Sequence, residues 1–205
     1  MAIEKTIYVY CEGENTEPYY LRDINKYNKT CMVEPIPIPQ PHTTPLPIIK
    51  DVIKFLSDKK EDKTIEYWAV FDCDNRVNDV EKAYKEVNNY NKNRGKKPPI
   101  KIAMCRPCIE AWALLHFIDP SNNIFNDRNS CQKSLSQFMP KYNHSKGARL
   151  DTELMMEQDK GNNYSKYEKA KKHASDWENG YTPDNEYNAS KLAGIYNLVD
   201  SILNF

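Results

Sequence analysis

Four carboxylates each come at or just after the end of an apolar, strand-like segment of the sequence. They are Glu12, Asp72, Asp74 and Glu110. Asp72 and Asp74 are two residues apart, so in extended backbone their side chains share a face. Like charges in a cluster are costly unless a cation neutralises them. Hard oxygen ligands with few imidazoles nearby favour Mg²⁺ or Mn²⁺ over zinc, so the pattern predicts that Glu12, Asp72 and Asp74 bind such an ion. The alternative is that these acids cap helices or lie in solvated turns.

The elements that must position these acids alternate along the first half of the chain. Segments 5–11, 65–71 and 100–105 have the β-branched and apolar content of strands, and amphipathic helical patterns lie between them. Segment 65–71 is nearly continuously apolar, which is typical of a strand covered on both faces. The alternation predicts an α/β fold with a mostly parallel sheet flanked by helices. Because sites in such sheets form at the carboxyl ends of the strands, we expect the acids to meet at one edge.

Two further regions complete the predicted domain. Segment 31–38 is extended but contains Pro35 and Pro37, so we place it at an edge of the sheet. From residue 118 onward, polar loops connect helical stretches. We therefore expect an α/β core over residues 1–117 and a helical elaboration over residues 118–205 that packs on the same domain.

Composition limits the classes of partner. The 205 residues carry 29 Lys plus Arg and 29 Asp plus Glu, which gives a net charge of zero. The chain as a whole is therefore not drawn to nucleic acid or to an anionic membrane, and a nucleic-acid partner needs a local basic surface or bound metal. No window has the length of a membrane span and no secretory signal is visible, so we expect a cytoplasmic protein without membrane contact. We accordingly expect the six cysteines to be reduced thiols, including the Cys105 and Cys108 pair.

Three blocks of the sequence resemble a known family. They are residues 12–20 (EGENTEPYY), 70–74 (VFDCD) and 107–117 (PCIEAWALLHF). A Glu after the first strand and an Asp-x-Asp after a later one resemble the Toprim signature of topoisomerases, primases and overcoming-lysogenization-defect nucleases. Together the three blocks resemble the RloB family of phage-defence proteins. The sequence departs from the family pattern at Arg106 and Ile109, and neither departure removes a carboxylate.

The resemblance implies a Toprim-like core and a set of roles. Glu12 is implied as general base, general acid or metal ligand, and Asp72 and Asp74 as ligands of Mg²⁺ or Mn²⁺. Glu110 is implied in the catalytic group, with Glu17 as a supporting acid. The implied activity is metal-dependent cleavage of RNA or DNA in bacterial phage defence and abortive infection, with an ATPase as a partner protein. The alternatives are a catalytically silent metal- or nucleic-acid-binding regulatory module that partners an ATPase, and a nucleotidyl-transfer enzyme that uses the same acids.

Three more residues are candidates for supporting roles. His116 lies six residues after Glu110, so it either reaches the acidic site or satisfies a buried hydrogen bond. Segment 141–147 contains Lys141, Lys146, an aromatic residue and a glycine. This segment either approaches the backbone of a nucleic acid or forms a plain surface turn.

Overall fold

The structure is a computed structural model that describes residues 2–120, 125, 127–143, 149–160, 163–180 and 194–204, without the side chains of residues 177–180. The strands are β1 (Lys5–Cys11), β2 (Cys31–Pro37), β3 (Ile65–Asp72) and β4 (Ile100–Cys105). The helices are α1 (Thr16–Asn25), α2 (Pro45–Phe55), α3 (Val77–Asn93), α4 (Ile109–Leu115), α5 (Arg128–Phe138), α6 (Thr152–Met156), α7 (Lys166–Gly180) and α8 (Ile195–Leu203).

The four strands form one parallel sheet in the order β2-β1-β3-β4. This arrangement confirms the predicted α/β fold with a parallel sheet. The register places Cys11 of β1 opposite Val70 of β3 and Asp72 of β3 opposite Cys105 of β4. The carboxyl ends of the three strands that precede the acids are therefore level with one another.

The prolines of β2 explain its position in the sheet. β2 lies at the edge, as predicted. Just past the strand, the backbone N–H of Ile38 donates to the carbonyl of Cys11, at 3.0 Å. Since N–H groups alternate in direction along a strand, Pro35 and Pro37 occupy positions whose N–H would point away from β1. The missing donors therefore cost the sheet none of its internal hydrogen bonds.

Each face of the sheet carries its own apolar core. In β3, Trp68 and Val70 belong to one core, and Ala69 and Phe71 belong to the other, as alternation along a strand requires. Helices α2 and α3 cover the face with Ala69 and Phe71, while α1, α4, α5, α7 and α8 contribute to the opposite core. The C-terminal helices thus share a core with the sheet, and the boundary after residue 117 stays a prediction.

The six cysteines all lie in the described residues, where they are buried thiols. None of the helices in the described part of the chain combines the length and the apolar character that a membrane span needs.

Candidate functional site

Glu12 and Asp72 meet at the carboxyl edge of the sheet. The backbone N–H of Glu12 donates to the carbonyl of Val70, at 3.0 Å, and extends the pairing of β1 with β3. The backbone N–H of Asp72 donates in turn to Oε2 of Glu12, at 2.9 Å. The Glu12 carboxylate is therefore fixed to the end of the central strand, because parallel register brings these two strand ends together.

Asp74 reaches the same place through a turn in the chain. The backbone N–H of Cys73 donates to the carbonyl of Cys105, and that of Asp74 to the carbonyl of Pro107, each at 2.8 Å. Asp74 itself has a φ of 43°, in the left-handed region that Asp and Asn tolerate better than most residues. This turn ends the strand and leaves the Asp74 carboxylate beside that of Asp72, where one guanidinium contacts both.

Two arginines that the sequence analysis missed bind these acids. Nη2 of Arg128 donates to Oδ2 of Asp72 at 2.8 Å and to Oδ2 of Asp74 at 2.9 Å, while its Nε donates to Oδ1 of Asp74 at 2.9 Å. Nη2 of Arg76 donates to Oε1 of Glu12 at 2.5 Å and to Oδ2 of Asp74 at 3.2 Å. Guanidinium groups thus supply part of the counter-charge that this acidic cluster requires.

The charged form of Asp72 is destabilised by its surroundings even though Arg128 binds it. The side chain of Asp72 is 4% exposed, and its Oδ1 accepts no hydrogen bond from the described residues. Burial raises the pKa of Asp72 well above its usual range and the nearby Glu17 adds to this, whereas Arg128 lowers it. The environment therefore favours the protonated form, or a further cation at the bare oxygen.

Glu17 faces the same cluster from the first turn of α1. It is 6% exposed, and burial raises its pKa to about 7, with further contributions from Glu12 and Glu110 and an opposing one from Arg128. A Cβ added at Gly13 would overlap the Glu17 carboxylate. The glycine in the loop after β1 therefore makes room for this acid.

Glu110 is fully buried behind the cluster, in the first turn of α4. Its Oε1 accepts hydrogen bonds from Nε2 of Gln132 at 3.0 Å and from the hydroxyl of Tyr142 at 2.7 Å. Gln132 belongs to α5, so Glu110 links α4 to the helix that begins with Arg128. Its charge also contributes to the raised pKa of Asp72.

A cleft of about 250 Å³ opens to solvent at this edge. Its lining consists of acids, one arginine and the polar loop after β1, together with two residues of the loop before α2. These residues are Glu12, Gly13, Glu14, Asn15, Thr16, Glu17, Gln40, Thr43, Asp72 and Arg128. A small anionic or metal-bridged group can therefore reach Asp72 and Arg128 from solvent.

The carboxylates at this edge are of the ligand type that binds Mg²⁺ or Mn²⁺, but in this structure they are bound to Arg76 and Arg128. Among the described residues, no three Asp, Glu, His or Cys side chains stand ready to hold a metal ion. Carboxylate oxygens are the ligands these ions prefer, the Oδ1 of Asp72 has no hydrogen-bond partner among the described residues, and Asp72 is one of the residues that line the cleft. Asp72, Asp74 and Glu12 would hold the ion once Arg128 has left Asp72 and Asp74.

His116 lies in an apolar part of the molecule. It is 1% exposed, its Nδ1 contacts the carbonyls of Trp112 and Ala113 at 3.0 and 3.2 Å, and its ring packs edge-on against Trp112. Burial lowers its pKa to about 3, and Lys166 and His173 contribute in the same direction. These contacts fit the expectation that His116 satisfies a buried hydrogen bond, and none of them is with the acids of the site.

The two candidate lysines are not at the cleft. Lys141 is exposed and lines a separate depression with Phe138, Arg149 and Glu153. Lys146 lies outside the described residues. Lys141 is however followed directly by Tyr142, which hydrogen-bonds Glu110, so the lysine is connected to the acidic cluster through its neighbour.

The Cys105 and Cys108 pair does not have the surroundings of a reactive site. Both thiols are fully buried. A hydrogen bond with Cys131 and burial raise the pKa of Cys108, and burial raises that of Cys105. Thiols with raised pKa values are poor nucleophiles and poor metal ligands.

The two arginines differ in how visible they are in the sequence. Arg76 stands two residues after Asp74, so a basic residue beside the acidic block was a usable signal. Arg128 is 54 residues from Asp74, and no local pattern marks it. Only the packing of α5 against α4 brings it to the acids.

Comparison with known proteins gives one match. The family model described as RloB-like protein matches residues 7–202. No curated protein and no solved structure matches the chain. Since the family match spans nearly the whole sequence, the chain belongs to the RloB-like protein family.

Proposed function

We propose that this protein is a Mg²⁺- or Mn²⁺-dependent nuclease that cleaves RNA or DNA and acts in bacterial phage defence by abortive infection. The observation that carries the proposal is the buried Asp72, which lines an open, acid-lined cleft and has one carboxylate oxygen without a hydrogen-bond partner among the described residues. A carboxylate held against its charged form is destabilising for a fold, and perturbed groups of this kind cluster at functional sites. The role in defence rests on membership in the RloB-like family.

The acids have different parts in this activity. Asp72 and Asp74 would hold the metal ion, which when bound would stabilise charge on the phosphoryl group and help to activate water. Glu12 is anchored through Oε2 by the backbone N–H of Asp72, so its Oε1, which Arg76 contacts in the metal-free protein, would serve the metal or accept a proton. Glu17 supports them from α1. Glu110 is fully buried, so it acts through the negative potential that it adds.

The net charge of the protein does not attract nucleic acid to this cleft. The net charge of the chain is zero, so binding depends on metal ions and on local cations. Lys141 contributes one such cation on the surface. We propose a cytoplasmic setting as well, and the ATPase partner rests, like the role in defence, on the family.

A cleavage assay tests the proposal. Transfer RNA, single-stranded RNA, single-stranded DNA and duplex DNA are incubated with the protein and Mg²⁺ or Mn²⁺, with and without a genomically adjacent ATPase. We expect wild type to cleave at least one of them in a metal-dependent manner and Asp72→Asn to be inactive. Asp58→Asn, a change at an exposed acid of the same type, is the matched control and should retain activity. Activity that persists with EDTA, or that is equal in Asp72→Asn, contradicts the proposal.

The arginine contacts favour a second candidate function. Arg76 and Arg128 already neutralise part of the acidic cluster, as a catalytically silent regulatory module would require. Such a module binds Mn²⁺ or nucleic acid and controls a partner ATPase without cleaving anything. Binding of Mn²⁺ by wild type, with no cleavage of any substrate alone or with the ATPase, favours this function over the first.

A further inference from the structure

The backbone of Arg128 is held in helix α5, and its side chain extends from the helix to the acidic cluster. It is the first residue of α5, and the side chain of Asp127 accepts a hydrogen bond from the backbone N–H of Ser130, at 3.0 Å, which fixes the start of this helix. From there the Arg128 side chain reaches to Asp72 and Asp74. Its side chain is 29% exposed and lines the cleft. The guanidinium can therefore change partners without any change in the helix.

The contacts of Arg128 leave the cluster incompletely neutralised. Five acids surround the site, Glu12, Glu17, Asp72, Asp74 and Glu110, and two arginines bind three of them directly. The Oδ1 atom of Asp72 accepts no hydrogen bond from the described residues, and the Asp72 side chain is only 4% exposed. Because Asp72 is one of the residues that line the cleft, this unpartnered oxygen is a position for a second cation. A divalent ion there would lie beside the Arg128 guanidinium, and the two cations would repel each other.

We propose that Arg128 exchanges ligands: it leaves Asp72 and Asp74 when a divalent metal binds, and its guanidinium then binds a phosphate of the nucleic-acid backbone in the cleft. This inference rests on the proposed function and names the residue that links metal to substrate. The planar guanidinium fork matches a carboxylate and a phosphate equally well. The released side chain stays in the same cleft, where the metal-bound phosphate of a substrate presents the nearest oxygens.

Arg76 provides the internal contrast. It also contacts Asp74, but its Nη2 lies 3.5 Å from the backbone carbonyl of Asp72 and hydrogen-bonds Glu12 at 2.5 Å. Arg76 is only four residues from Asp72 along the chain, so it belongs to the turn that follows β3. Its position is that of a structural clamp on this turn, whereas Arg128 approaches from another helix.

The exchange couples the two ligands. Metal binding has to displace Arg128, which weakens metal affinity, and the displaced guanidinium strengthens the binding of phosphate. By linkage, phosphate must strengthen metal binding by the same factor. The free protein therefore binds phosphate weakly, and the metal-loaded protein binds it well.

Calorimetric titration with MnCl₂ tests the first half of the exchange. We expect Arg128→Gln to bind Mn²⁺ about tenfold more tightly than wild type, since a competing cation has gone. Arg76→Gln is the matched control, and we expect a smaller gain or a loss, because the turn that carries Asp74 loses its clamp. Equal or weaker Mn²⁺ affinity in Arg128→Gln overturns the inference.

Titration of the Mn²⁺-loaded protein with inorganic phosphate tests the second half. Wild type should bind phosphate about tenfold more tightly with Mn²⁺ than without it. Arg128→Gln should lose this gain and Arg128→Lys should recover part of it, because lysine keeps the charge without the fork. Phosphate affinity that is the same in wild type and Arg128→Gln overturns the inference.

A measurement on the unmutated protein removes any dependence on the folding of the variants. The arginine Nε–H resonances are followed by NMR during titration with Mg²⁺. The Arg128 signal should shift and lose its protection from exchange as its bond to Asp74 breaks, and an Arg128 signal unchanged at saturating Mg²⁺ overturns the inference. Cleavage by wild type with no change at Arg128 refutes the inference alone. A complete exchange without cleavage of any nucleic acid refutes the proposed nuclease and leaves the inference standing.

Discussion

The two ends of strand β3 carry carboxylates in opposite electrostatic situations, with Glu66 partly buried and Asp72 buried. Near the amino end, Oε1 of Glu66 accepts hydrogen bonds from Lys5 at 3.0 Å and Lys101 at 2.9 Å, and Oε2 from Trp68 at 2.7 Å and Ser201 at 2.8 Å. Burial raises the pKa of Glu66, but these donors outweigh it and lower the pKa to about 2.

At the carboxyl end, Asp72 is even less exposed, yet one of its oxygens has no hydrogen-bond partner in the described residues, and its pKa is raised. A single strand thus supports a carboxylate that stabilises the fold and one that weakens it. The fold can provide a full set of donors for a partly buried acid, as Glu66 demonstrates. The missing donors at Asp72 are what the proposed metal site would require.

The largest effect should come from removing the satisfied acid. Glu66→Gln keeps the shape of the side chain but removes the charge that pairs with Lys5, whose side chain is only 8% exposed. We expect a loss of about 3 kcal/mol in the free energy of unfolding, measured by urea denaturation. Glu34→Gln, at an exposed position of β2, is the control and should change little. A loss as small as that of the control would show that Glu66 does not stabilise the fold.

The pH dependence of the same variant sharpens the comparison. The pKa of Glu66 in the folded protein is about 2, below its ordinary value of 4.5. Its contribution is therefore fully present above pH 4.5 and is lost as the pH falls toward 2. We expect the stability difference between wild type and Glu66→Gln to be large at about pH 6 and clearly smaller at about pH 3. A difference that grows on acidification would give the wrong sign and refute the assignment.

Removing the stressed acid should have a smaller effect of the opposite sign. Asp72→Asn relieves a buried negative charge, and Arg128 keeps its two bonds to Asp74. We expect the metal-free variant to be as stable as wild type or more stable, by up to about 1 kcal/mol. The rise in melting temperature that Mn²⁺ causes in wild type should be absent. The metal site is refuted by a wild type that shows no such rise, or by a variant that shows the same one.

The smallest effect on stability is expected at Gly13. An alanine there displaces the end of the Glu17 side chain, so we expect the free energy of unfolding to stay within about 1 kcal/mol of wild type. The Mn²⁺-dependent rise in melting temperature should nevertheless shrink. Gly95→Ala is the reverse control: its φ of +62° makes alanine strained, so stability should fall with no change in the response to Mn²⁺.

Sequence patterns were sufficient for the fold because its signals are local. The apolar run 65–71 predicts a central strand, and the prolines of segment 31–38 predict an edge strand. Parallel topology then brings Glu12 to Asp72. The counter-ions are not local. Arg128 and Asp72 are 56 residues apart, and Ser201 and Glu66 are 135 apart. Such pairs depend on how helices pack across the core, which periodicity does not encode, and so the acids were predicted without the arginines that contact them.

The prolines of β2 also limit how copies of this protein can associate. A sheet grows into a fibril only when both of its edges can accept another strand. Pro35 and Pro37 lack donors on the outward side of β2, so this edge offers an incomplete template. Even if β4 pairs with β4 of a second copy, the joined sheet ends in β2 on both sides. Growth of the sheet beyond that dimer would have to proceed through β2, where the missing donors of Pro35 and Pro37 disfavour the addition of a strand.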